Sequence, residues 1–123
     1  MPDRILVVDD NDMNLTLLSK ILEMEGYQVM TALNGIEAIR LAELQMPDLA
    51  ILDVMMPDMD GYELCRKMRQ PPFNKNMPIV MLTAMSGDKD RKEALDAGAN
   101  DVWNKPFDMG QLRVRIGELL KKK

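Results

Sequence analysis

Five short apolar runs, Ile5–Val8, Gln28–Ala32, Leu49–Leu52, Ile79–Leu82 and a weaker Asp101–Asn104, recur along the chain, each followed by a helical pattern. This alternation constrains the fold more than any other feature of the sequence. The runs are mostly continuous rather than alternating, as expected of strands buried on both faces. Strands that alternate with helices build a parallel sheet with helices packed on both sides, an α/β architecture.

The helical segments carry their own punctuation. Leu15, Leu18, Ile21 and Leu22 make one apolar face after Asn11-Asp12, either of which can cap it, and Gly26 ends that helix. Ile36, Ile39 and Ala42 suggest a second face, opened by Asn34-Gly35 and stopped near Pro47. Tyr62, Cys65 and Met68 mark a third, and Ala94 and Leu95, closed by Gly98, a short fourth. Met109, Leu112, Ile116, Leu119 and Leu120 mark the last at helical spacing. Gln70–Pro78 is the one long irregular loop, stiffened by prolines.

At 123 residues the chain suits one domain, 1–123, with a single core. No apolar run approaches the roughly 20 residues that span a bilayer, and the N-terminus lacks a signal-peptide pattern, so the expected location is cytoplasmic. The net charge of −4 without a basic stripe argues against direct nucleic-acid binding. Cys65 is the single cysteine and has no internal disulfide partner. There is no histidine, which removes His-based general-base catalysis and His–metal sites. Chemistry here must run on carboxylates, Lys, Thr or Ser, with or without a metal ion.

In an open parallel sheet, ligands bind beyond the carboxyl ends of the strands. The first strand runs into Asp9 and Asp10, the third into Asp53, the fourth into Thr83 and the fifth into Lys105. If those strands are near neighbours, three carboxylates, a hydroxyl and an ammonium meet at one rim. Clustered carboxylates repel one another unless neutralised, and Mg²⁺ is a hard cation that takes such oxygen ligands. Lys and Thr suit phosphate oxygens, and Asp is a nucleophile able to form an aspartyl-phosphate. The bland alternatives are that Asp9 and Asp10 cap the next helix, that Asp53 sits in a turn and that Thr83 is a plain strand residue. Asp58 and Asp60 read as turn and helix-cap residues rather than metal ligands.

The motifs ILVVDD, LDVMMPDMDG, IVMLTA, AGAND and NKPF, in this order, resemble the receiver domain of two-component response regulators, over almost the whole chain. The resemblance implies the doubly wound, flavodoxin-like fold, a five-stranded parallel sheet of order 2-1-3-4-5. It also implies Asp53 as phosphoacceptor, Thr83 and Lys105 as contacts to the phosphoryl group, and Mg²⁺ bound by Asp9, Asp10, Asp53 and the backbone carbonyl of Met55. The Lys105–Pro106 bond is expected to be cis, as in the family. The implied partner is a histidine kinase or histidine phosphotransfer protein that donates from phosphohistidine. Self-catalysed dephosphorylation and dimerisation on phosphorylation, through the fourth- and fifth-helix face, are also implied. The chain would then be a regulator, not an enzyme acting on other substrates, and not membrane-bound.

Met55 and Met85 fall where the family varies the edge of the site, and apolar cover there is expected to slow loss of the phosphoryl group. A dehalogenase-like phosphatase is disfavoured because the position two residues after its nucleophile needs an acid and is Met55 here. A flavin carrier is disfavoured because no Gly/Thr/Ser-rich phosphate loop follows the first strand. One position departs from the family: Val102 stands three residues before Lys105 where an aromatic switch residue is usual. Alternation points the adjacent Trp103 to the opposite face of the sheet.

Overall fold

The computed structural model describes residues 3–56, 58–73, 76–84, 87–104 and 108–122. Five strands and five helices alternate: β1 (Arg4–Val8), α1 (Asp12–Met24), β2 (Gln28–Ala32), α2 (Gly35–Leu44), β3 (Leu49–Asp53), α3 (Gly61–Met68), β4 (Ile79–Thr83), α4 (Asp88–Asp96), β5 (Asp101–Asn104) and α5 (Met109–Lys122). All pairings are parallel and the strand order is β2-β1-β3-β4-β5, so the expected topology is the observed one. No helix among the described residues is long and apolar enough to cross a membrane.

Strand alternation divides the core in two. Leu6, Val8, Ala50, Leu52, Ile79, Met81 and Val102 face one side, with Ala38 and Ala42 of α2, Leu64, Cys65 and Met68 of α3, and Ala94 of α4. Ile5, Val7, Leu49, Ile51, Val80 and Leu82 face the other, under Leu15, Leu18 and Leu22 of α1 and Leu112, Ile116, Leu119 and Leu120 of α5. Each central strand is buried on both faces, which is why the sequence showed continuous apolar runs without a period. Trp103 packs partly against the α1/α5 side while Val102 is buried on the α4 side, the opposition that alternation implied.

Two helix faces differ from expectation. On α2 Ala42 is buried and Ile39 packs partly against the core as expected, but Ile36 is exposed; Gly35 and Ala38 are buried in its stead, and the helix lies close to the sheet through small side chains. On α4 Ala94 is buried but Leu95 is exposed, because the helix seats only one narrow edge on the sheet. The caps are as local chemistry dictates: Asn11, Asn34, Asp60 and Asp108 each accept a hydrogen bond from the backbone N–H three residues on. Gly26 and Gly98, at φ of 92° and 109°, supply the left-handed turns after α1 and α4.

The AGAND motif has a structural reason. Arg69, at the C-cap of α3, donates from Nε to the Gly98 carbonyl (2.8 Å), from Nη1 to the Met77 carbonyl and from Nη2 to Asn100 Oδ1 (2.7 Å). The same Asn100 oxygen accepts from the Ile79 N–H at 2.8 Å, pinning the start of β4. A Cβ at Gly98 would stand 2.8 Å from Arg69 Cγ, so glycine is required for this approach as well as for the turn. Burial pushes the guanidinium pKa below its usual value, the mark of a cation drawn into the fold to satisfy backbone carbonyls. Arg69→Ala strands these acceptors and is expected to cost about 2–4 kcal/mol in urea unfolding. Burial pushes the Cys65 thiol pKa up, consistent with a packing role for this cysteine.

Candidate functional site

Parallel register assembles the site. Val8 of β1 pairs with Leu52 of β3, so the next residues, Asp9 and Asp53, emerge at the same level from adjacent strands. Asp53 itself pairs with Leu82, which places Thr83 one step beyond it on β4. Thr83 in turn pairs with Asn104 at the end of β5. The carboxyl ends of β1, β3, β4 and β5 therefore share one rim, whereas β2 ends at the far edge of the sheet.

At that rim Asp9, Asp10 and Asp53 each present a carboxylate oxygen, and these oxygens lie within 4.8 Å of one another. Asp9 and Asp53 are only 2% and 5% exposed, and Thr83 is 1% exposed, while Asp10 faces solvent. Two nearly buried carboxylates this close to each other and to a third are a strongly anionic arrangement, and hard oxygen donors in this number fit a small divalent cation. Asp9 has local bonds as well: Oδ1 accepts from the Asn11 N–H (3.0 Å) and Oδ2 from Asn14 Nδ2 (3.3 Å). These bonds orient its carboxylate at the start of α1, but the N-cap of that helix is Asn11, so Asp9 is not its cap. Asn14 carries no motif of its own in the sequence, and only the first-turn geometry of α1 identifies it.

Two backbone bonds hold the ends of the segment after Asp53. The Val54 N–H donates to the Leu82 carbonyl (3.1 Å), and the Gly61 N–H donates back to the Val54 carbonyl (2.9 Å), closing the base of the loop. Met55 is 61% exposed, on the outer edge of the rim. Asp60 caps α3, and Asp58 lies outside the carboxylate cluster, its oxygens turned to the N-terminus of α2. Both are turn and cap residues, as expected. Lys105, the expected cis Lys105–Pro106 bond and Met85 lie outside the described residues.

On the neighbouring face, Asp101 of β5 ties three elements together. Its Oδ2 accepts from Arg115 Nε of α5 (2.8 Å) and Trp103 Nε1 (3.1 Å), and its Oδ1 lies 3.7 Å from Arg91 of α4. Arg91 also donates to the Val102 carbonyl (3.3 Å). The aromatic residue next to the departed switch position is thus held by a carboxylate on the side of the sheet away from Val102.

Comparison with known proteins agrees with this fold. Residues 5–117 match the response regulator receiver domain family. The response regulator PleD of Caulobacter vibrioides is 44% identical over 119 residues, covering 97% of this chain but 26% of that protein. Other curated relatives are matched over about half their length, as in the 50% of a Bacillus subtilis regulator, so the chain spans only part of the relatives it resembles. A response regulator from Chloroflexus aurantiacus superposes with a TM-score of 0.93 at 39% identity, covering 98% of this chain and 99% of the other. The receiver domain of a Pseudomonas aeruginosa sensor histidine kinase, described with a magnesium ion coordinated in its active-site cleft, superposes with a TM-score of 0.89 at 35% identity, over 98% and 99% of the two chains. With the family matched across most of its length and the fold shared strand for strand, the chain belongs to the receiver domains of two-component response regulators.

Proposed function

We infer that residues 1–123 form one phosphorylation-activated switch, in which Asp53 accepts a phosphoryl group from phosphohistidine on a partner kinase or phosphotransfer protein. The observation that carries this reading is the convergence of the Asp9, Asp10 and Asp53 oxygens within 4.8 Å at the sheet rim. Asp9, Asp10, Asp53 and the Met55 carbonyl would hold Mg²⁺. When bound, that ion neutralises the carboxylates and the charge on the transferring group.

The chain's own residues do the rest. A carboxylate oxygen of Asp53 attacks phosphorus, the P–N bond breaks, and the departing imidazole nitrogen keeps the electron pair and takes up a proton. Thr83, buried one step beyond Asp53, offers its hydroxyl to a phosphoryl oxygen, and Lys105 supplies the countercharge. The same site would return the phosphoryl group to water. Residues 1–123 contain no histidine, so the donor histidine lies outside them.

Added charge at Asp53 would act on the α4–β5–α5 face, where the Asp101 carboxylate links Arg91, Trp103 and Arg115. Dimerisation through that face on phosphorylation and a cytoplasmic setting belong to the same reading. The test is exposure to an acyl phosphate with and without Mg²⁺. Stoichiometric labelling with Mg²⁺, cut at least about tenfold by chelation, is expected. Metal-independent labelling, or steady turnover of phosphate esters, would overturn the reading.

A further inference from the structure

The acid-rich turn after Asp53 contains a carboxylate that the site does not use. Asp58 Oδ1 and Oδ2 accept hydrogen bonds from the backbone N–H groups of Gly35 and Ile36, each at 3.3 Å, at the first turn of α2. The Glu37 N–H is taken by the α2 N-cap, Asn34, at 2.8 Å, and Ala38 begins the intrahelical ladder by donating to the Asn34 carbonyl. The three N–H groups of the first turn that lack intrahelical partners are thus satisfied by two side chains, one local and one from a loop 22 and 23 residues away. An anion at a helix N-terminus is also favoured by the helix dipole.

A second contact fixes the same junction. A Cβ built at Gly35 would stand 2.9 Å from Met59 Sδ and 3.0 Å from Met59 Cβ, so the Met59 side chain occupies the space that glycine leaves open. The loop is therefore closed at its base by the Gly61–Val54 bond and fastened at its tip by Asp58 and Met59 against α2. Between base and tip runs the backbone that immediately follows Asp53.

We propose that Asp58 is a positioning residue for the divalent-cation site: by latching the β3–α3 loop to the N-terminus of α2, it holds the backbone beside Asp53 ready for the ion. This rests on the proposed function, because the ion is the one that function requires. Asp58 lies outside the carboxylate cluster, so its effect runs through the loop and not through ligation.

The experiment uses the full chain and three variants, Asp58→Ala, Asp58→Asn and Asn34→Ala, with two readouts. Mg²⁺ affinity is measured by calorimetric titration, and amide hydrogen exchange of residues 54–60 is measured without metal. Asp58→Ala should exchange faster in the loop and raise the Mg²⁺ dissociation constant roughly tenfold, the effect typical of residues that orient a metal site from behind. Asp58→Asn removes the charge but keeps an oxygen acceptor, and should bind Mg²⁺ about threefold more tightly than Asp58→Ala. Asn34→Ala loosens the same helix end without touching the loop, and should leave affinity within about twofold of wild type. Unchanged loop exchange in Asp58→Ala would overturn the proposal, as would equal Mg²⁺ affinities for Asp58→Asn and Asp58→Ala, which would mark a simple charge effect. If wild type itself bound no Mg²⁺, the proposed function would fall, while the exchange measurement would still decide the latch.

Discussion

Asp53→Asn is expected to reduce labelling by an acyl phosphate to background while the chain stays folded. Asparagine fills nearly the same space at a position only 5% exposed, so the β3 register and the core beneath it should persist. What it lacks is the anionic oxygen proposed to attack phosphorus and one of the three carboxylates whose oxygens converge within 4.8 Å. The loss should therefore also appear without any phosphodonor. Mg²⁺ at 100 times its dissociation constant stabilises a folded chain that binds it by about 2.7 kcal/mol, which in a domain of this size moves the melting midpoint on the order of 10 °C. Asp53→Asn should lose most of that shift. A variant still stabilised like wild type would show that the cation sits elsewhere.

Gly61→Ala is expected to be the most damaging small substitution in the loop. A Cβ there would lie 2.7 Å from Met81 Cε and 2.9 Å from Val54 Cα, and closer still to the Asp53 carbonyl oxygen. Two of those neighbours are backbone and cannot swing aside, so the loop must move away from Asp53. We expect about 3 kcal/mol of destabilisation in urea unfolding, at the upper end for overpacking, together with at least a tenfold slower labelling reaction, since even about an ångström of misplacement is costly at a reacting centre. Gly117→Ala is the contrast: nothing lies within 4 Å of its Cβ position in α5, so it should stabilise by about 1 kcal/mol through helix propensity. Similar effects from both glycines would contradict this account of Gly61.

Much of this architecture was legible in the chain because its signals are local and consistent. The apolar runs of β1, β3 and β4 are continuous because both faces are covered, and the residues ending them, Asp9, Asp53 and Thr83, follow directly from that reading. Periodicity alone left the strand order open; the motif resemblance supplied it, and only the observed pairing Val8–Leu52 sets Asp9 beside Asp53. On α2 Ala42 and Ile39 pack inward as read, but Ile36 does not, because close packing against the sheet selects the small Gly35 and Ala38 that a periodicity count passes over. Arg69 carries no signal in the sequence, since the carbonyl partners that draw it inward are 8 and 29 residues away. Asp58 was legible as a turn residue but not as the cap of a helix formed earlier in the chain. Long-range partners of this kind leave no spacing to read.

If this rim is a phosphoryl-acceptor site centred on Asp53, the phosphoryl group must be found on that residue. The wild-type chain is incubated with phosphorylated histidine kinase or an acyl phosphate in the presence of Mg²⁺, and the product is followed by intact-mass spectrometry and peptide mapping. The expected result is one phosphoryl adduct per chain, labile to hydroxylamine as an acyl phosphate is, and carried by the peptide that contains Asp53. An adduct on a hydroxyl or on another acidic residue, or none under conditions where the donor transfers to a known receiver, would contradict the account.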